Sequence, residues 1–138
     1  MALPGAAAAA TASHTTDEYV LWHCVGSRSI RCLWTLHELG AHDRVRLRVL
    51  PFPPRVLRRD FLDVNPLGTV PCLELPSAIP GGARRIMTES VAIAVYLASA
   101  LGGPCGGGLV VGPDEPAYPE YLNWLAHSDV WLRLGPGA

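Results

Sequence analysis

Three short groups of residues in this sequence have types and spacings that could do chemistry. Cys24, Ser27 and Ser29 lie where a strand-like run, Tyr19 to Cys24, passes through Gly26 into a helical pattern. A hydroxyl at a helix N-terminus offers both a hydrogen bond and the positive end of the peptide dipole, and the two together favour an anion such as a thiolate. Ser27 occupies that place, and Ser29 takes it if the helix begins one turn later; either can equally serve as a plain N-cap. Cys24 belongs to the strand, where a thiol behaves as a small buried apolar group. The second group, Val70-Pro71, follows the turn Asn65-Pro-Leu-Gly68 and opens a strand, a place where a missing N–H is tolerated. The third, Glu89-Ser90, opens an apolar helical pattern. There the Ser90 N–H and hydroxyl could hold a carboxylate while Glu89 pairs with an ammonium group, or the two residues simply make a good first turn.

The elements that must position these groups read as an α/β order. Tyr19–Cys24 is a strand, and Ile30, Leu33, Trp34 and His37 fall on one helical face that Gly40 stops. Val45, Leu47 and Val49 alternate with Arg46 and Arg48, predicting a strand with one solvated face. A weaker helix is predicted over Arg55 to Val64, then strands over Val70–Leu75 and Arg84–Thr88 on either side of a Pro80-Gly-Gly82 turn. Glu89 to Leu101 is apolar on nearly all sides, as a buried helix is. The result is β-α-β-α-β-β-α.

Composition narrows the function classes. A chain of 138 residues suits one compact domain. A net charge of −1 gives no footprint for a nucleic-acid backbone. The sequence contains no lysine, which excludes a Schiff-base lysine and the lysine of a phosphate-binding P-loop. No apolar stretch approaches the roughly 20 residues that span a bilayer. Cys24, Cys32, Cys72 and Cys105 are scattered without metal-ligand spacing, so no metal is expected. Residues 1–16 read as an Ala-rich disordered leader, 102–114 as a Gly-rich linker, and 115–138 as a further helical segment opening at Pro116 or Pro119.

The β-α-β-α-β-β-α order and three local motifs resemble the thioredoxin-like domain that opens glutathione transferases. Gly26-Ser-Arg-Ser-Ile-Arg-Cys-Leu-Trp34 with His37-Glu-Leu-Gly40 is similar to the family's catalytic turn and first helix. Asn65-Pro-Leu-Gly-Thr-Val-Pro-Cys-Leu73 is similar to its N-P-x-G-x-V-P-x-L segment, and Thr88-Glu-Ser-Val-Ala-Ile93 to its E-S-x-A-I motif. The resemblance implies a glutathione-binding unit over residues 17–101 and the truncated start of a helical second domain over 115–138. It implies that Ser27 is the thiolate donor of a serine-type member, with Ser29 and Cys24 as rivals, Cys24 in the manner of cysteine-type members. It further implies a cis Val70-Pro71 bond that turns the Val70 backbone toward the cysteinyl part of glutathione, and Glu89 and Ser90 at the γ-glutamyl end. The implied activity is conjugation of glutathione to an unidentified electrophile, in the cytoplasm and in detoxification. A non-catalytic interaction module and a glutathione-dependent isomerase or thiol–disulfide enzyme are the alternatives. Thr69 stands where many members carry a lysine for the glycine carboxylate, which predicts weaker binding. Tyr121, Leu122, Leu125 and Leu132, with Trp124 and Trp131 on another face, predict self-association.

Overall fold

The apolar run Tyr19–Cys24 forms β1, a strand so enclosed that Val20, Leu21 and Cys24 keep at most 1% of their surface exposed. The structure is a computed structural model and describes residues 18–77, 79 and 82–131. After β1 come α1 (Ile30–Glu38), β2 (Val45–Leu50), a short α2 (Pro54–Leu57), β3 (Cys72–Leu75), β4 (Arg85–Met87), α3 (Ser90–Leu101) and α4 (Tyr118–Trp131). The four strands pair in the order β2-β1-β3-β4. β2 runs parallel to β1 and connects through α1, while β3 and β4 are antiparallel to their neighbours. This is the thioredoxin-like α/β arrangement of the sequence reading.

Each face of the sheet has its own core. On one, Leu21, Val45, Leu73 and Leu75 meet Cys32 and Leu36 of α1 and Ile93, Leu97 and Leu101 of α3. On the other, Cys24, Leu50 and Cys72 meet Phe61, with Trp22 packed at the margin. Phe61 belongs to a 3-10 turn, Arg59–Asp63, which together with α2 replaces the single helix expected over Arg55 to Val64. Pro53 and Pro54 supply the start but the stretch is too rich in charge to bury a continuous helical face.

Several finer expectations need correction. The buried face of α1 is Cys32 and Leu36, whereas Ile30 and Trp34 are 57% and 66% exposed. An apolar stripe at helical spacing was present on both sides of this helix, and the narrower one faces the sheet. In β2, an edge strand of the sheet, the apolar face is buried only at Val45, and the expected alternation fails beyond it. Leu47 and Val49 are exposed there while Arg46 and Arg48 are half-buried. β3 begins at Cys72 rather than Val70, and β4 is limited to Arg85–Met87. Pro104–Gly108, within the expected linker, forms a 3-10 turn. The expected leader, Pro80 and Gly81 of the predicted turn, Leu132 and the chain from 132 onward lie outside the described residues, as do the side chains of Cys105 and Trp131. Among the described residues no helix is long and apolar enough to cross a membrane.

Candidate functional site

The turn between β1 and α1 folds back on itself through its serines. Helix α1 begins at Ile30, so Ser29 holds the N-cap position, yet neither serine caps the helix with its side chain. Ser27 Oγ donates to the Cys24 carbonyl at 2.8 Å and lies 2.5 Å from Ser29 Oγ. Ser29 is fully buried, and its hydroxyl also lies 2.6 Å from His23 Nδ1 and accepts from the Cys24 amide at 3.3 Å. Ser27 is thus the half-exposed end of a hydroxyl chain that runs inward to a buried histidine. Burial pushes the His23 imidazole below the ordinary histidine range.

Cys24 is fully buried on β1 with its thiol against the Pro51 carbonyl, and burial raises its pKa. The same cause pushes the thiols of Cys32 and Cys72 up to about 12. These three cysteines are all unpaired and buried, so each is a protonated core group rather than a ready nucleophile.

Ser27 and Val70 share a cleft of about 340 Å3, which Gly26, Arg28, Phe52, Arg55 and Thr69 help to line. The Val70-Pro71 bond is cis, as is Phe52-Pro53. Val70 precedes β3, so its backbone is outside the sheet ladder. The turn before it is built on Asn65, 2% exposed, whose amide nitrogen donates to the Thr69 carbonyl while its oxygen accepts from the Leu67 amide. Gly68 has φ +62, and a Cβ there would stand 2.7 Å from Arg55 Cβ, so only glycine lets this turn close on α2. Asn65 and Gly68 therefore fix where Val70 faces, a role that the turn residues Asn65-Pro-Leu-Gly68 do not themselves announce in the sequence. Arg55, read there only as part of the expected second helix, brings a cation to the cleft beside the uncharged Thr69.

Glu89 and Ser90 do not line that cleft; they sit at the start of α3. Glu89 is the sole non-glycine among the described residues with positive φ, at 70°, and its side chain is exposed. Such a conformation costs on the order of 1–3 kcal/mol and persists at binding and catalytic sites. Ser90 is buried, and its hydroxyl accepts from Arg31 at 3.1 Å. Arg31 also donates to Asp129 at 3.2 Å and to the Ser128 carbonyl at 2.9 Å, while Arg28 reaches the same Asp129 at 3.0 Å. The carboxylate that both arginines share is Asp129 on α4, and the nearer carboxylate in sequence, Glu38, accepts from the Trp34 indole. This knot places Arg28 at the Ser27 end and Arg31 at the Ser90 end. A second cleft, about 600 Å3 and mostly apolar, lies between α1, α3 and α4 and also includes Arg31. Tyr121 and Leu125 line it, and Leu122 and Trp124 are exposed. Among the described residues no group of His, Cys, Asp or Glu could hold a metal ion.

Residues 26–100, just over half of the chain, match the family model of the glutathione S-transferase N-terminal domain. The chain belongs to the glutathione S-transferase family. A solved glutathione transferase from Methylococcus capsulatus is 27% identical, with a TM-score of 0.64 over 81% of this chain and 51% of that one. A glutathione transferase homolog from Sulfitobacter, solved with bound glutathione, is 23% identical with a TM-score of 0.62, over 82% of this chain and 49% of that one. Ure2p in complex with glutathione gives 23% and 0.62, over 85% of this chain and 47% of that one. This glutathione S-transferase family chain therefore spans about half the length of these structures. Comparison with curated proteins finds no match.

Proposed function

We propose that this chain binds glutathione across the Ser27–Val70 cleft and the N-terminus of α3, and acts in glutathione transfer to an electrophile. The carrying observation is the shared cleft: a hydroxyl at the head of α1 and a backbone free of the sheet ladder face the same space. The cysteinyl part of glutathione would pair with Val70 beside Pro71 like a short added strand. Its thiol would lie against Ser27. The γ-glutamyl carboxylate would meet the Ser90 N–H and hydroxyl at the positive end of the α3 dipole, and its ammonium would meet Glu89. Arg55 would take the glycine carboxylate in place of the family lysine that Thr69 does not supply. Ser27 is the proposed thiolate donor; Ser29 and Cys24 are buried and are not among the residues that line the cleft.

The electrophile is unidentified, and the cellular setting we propose is cytoplasmic detoxification. Exposed Trp34 and Trp124 support self-association of the 138-residue chain, which sedimentation would read. A second reading, a non-catalytic module, is favoured by one observation: the Ser27 hydroxyl donates inward to Cys24. Thiol–disulfide chemistry is disfavoured by the burial of Cys24, Cys32 and Cys72. Retention on immobilised glutathione followed by conjugation of a generic electrophile separates the readings. Retention with turnover supports the transferase, retention without turnover overturns the conjugation step and leaves glutathione binding, and no retention overturns the glutathione site and favours the interaction module.

A further inference from the structure

The geometry points to the outer edge of β2 as a docking site for an extended protein segment that alternates acidic and apolar residues and joins the sheet as an added strand. The sheet order leaves β2 without a neighbour on its outer side, and a strand so placed turns every second N–H and C=O out of the ladder. β2 offers six residues to a partner, whereas β4, the other edge, offers three. None of the residues lining the Ser27–Val70 cleft belongs to β2, so this surface is separate from the proposed glutathione site.

The two faces of β2 set the chemistry of the occupant, because successive side chains of a strand point to opposite faces. On the face shared with Leu21 and His23, Leu47 and Val49 are 44% and 57% exposed, and apolar side chains of an added strand would cover them. On the face shared with Val20 and Trp22 stand Arg46 and Arg48, both of which keep part of their surface open to solvent. Glu18 reaches Arg46 at 3.3 Å, yet Arg46 Nη1 has no hydrogen-bond partner. Arg48 makes no hydrogen bond or ion pair among the described residues. Glu74, in the same row as Val20 and Arg46, is already held by Arg84 and accepts from the Trp22 indole. Acidic side chains on an added strand, opposite Arg46 and Arg48, supply the missing countercharge at cross-strand distance. Backbone pairing would supply the affinity and the alternation the specificity.

A second copy of this chain does not suit the same edge. Two β2 strands related by a two-fold axis normal to the sheet pair antiparallel, and residues directly opposite share a face. Centred on Leu47, the register of fullest pairing, the axis sets each Arg46 against an Arg48; centred on either arginine, it sets that arginine against itself. Like charges directly opposite are destabilising. The arginines that attract an acidic strand therefore also keep the edges of two copies apart.

Amide NMR titration of the 138-residue chain with three capped peptides, each matched to the six residues of β2, tests the assignment. One alternates glutamate and valine, one alternates lysine and valine, and one places its valines in a block before its glutamates. The expected result is saturable shifts at Arg46–Val49 with the alternating acidic peptide, and affinity at least roughly fivefold weaker for the other two. Arg48→Glu should bring the two alternating peptides to comparable affinity; an undiminished preference for the acidic one in the folded variant overturns the proposal. Equal affinity of the wild type for the block peptide also overturns it, because the arginines would then be a charge patch for any polyanion. So do the absence of saturable shifts, shifts confined to Arg85–Met87, and β2 shifts that follow protein concentration without peptide, the last by giving the edge to a second copy. Should Arg48→Glu not fold, the three peptides decide on the wild-type chain.

Discussion

Arg31 donates to Ser90 Oγ across 3.1 Å, and through this contact the first helix touches the N-terminus of the third. The same guanidinium holds Asp129 and the Ser128 carbonyl, so one side chain ties α1, α3 and α4 at the glutamyl end of the proposed site. A carboxylate arriving at Ser90 would find a cation already within hydrogen-bond reach.

Replacing Arg31 by methionine keeps the aliphatic stem and removes the fork. The expected result is about 1–2 kcal/mol lower stability, since charged hydrogen bonds to the buried Ser90 and the half-exposed Asp129 are lost. Amide exchange in α4 should accelerate more than in β1, and glutathione affinity should fall roughly tenfold. Denaturant titration, hydrogen exchange and calorimetry check the three parts.

Glu89→Gly separates binding from stability. Glycine relieves the positive φ of 70° at this position, so the unfolding free energy should rise, by up to about 1 kcal/mol, and the denaturation midpoint with it. Binding should weaken because the carboxylate proposed to meet the ammonium is gone. A variant both less stable and equally competent to bind would remove Glu89 from the site.

The order of elements and the position of the three motifs were legible in the sequence because β-branched runs, turn residues and apolar periodicity all agreed. The packing choices were not. Helix α1 carries apolar residues on two faces, and only the sheet decides that Cys32 and Leu36 go inward while Trp34 stays out. The edge position of β2 depends on strand order, which its alternation does not encode. The chemistry shows the same division. Ser27, Val70 and Ser90 are marked by local pattern, whereas Arg55, Arg31 and His23 reach the site through contacts between residues distant in sequence or on a preceding strand. The signal for His23 was its place one residue before Cys24 on the opposite face of β1, which period-two alternation would have directed toward α1.

Arg55→Ala tests the replacement for the missing lysine. Glutathione affinity should fall roughly fivefold to tenfold, modest because the side chain is exposed. Glutathione esterified at its glycine carboxylate should bind the wild type and the variant equally. Calorimetry with the two ligands reads the difference.

The stability of the chain should depend on pH in two windows. His23 has a lowered pKa in the folded state, so the unfolded chain takes up a proton first and stability falls as pH drops below about 6.5 and through the folded value. Cys32 and Cys72 have raised values, about 12, so the unfolded thiols ionise first and stability falls as pH rises from about 9. Tyr19, also raised to about 12 by burial and its contact with Tyr96, adds to the alkaline loss above about 10. Denaturant midpoints across pH should show a plateau between these windows. The thiols of Cys24, Cys32 and Cys72 should resist alkylation at neutral pH until the chain is unfolded.

The central claim is that glutathione binds across the head of α1, the turn before β3 and the start of α3. A two-dimensional amide NMR titration of the 138-residue chain with reduced glutathione tests it most directly. The predicted result is saturable shifts at the amides of Ser27, Val70 and Ser90 with one common dissociation constant. The absence of saturable shifts, or saturable shifts confined to α4 and the apolar cleft, would contradict it.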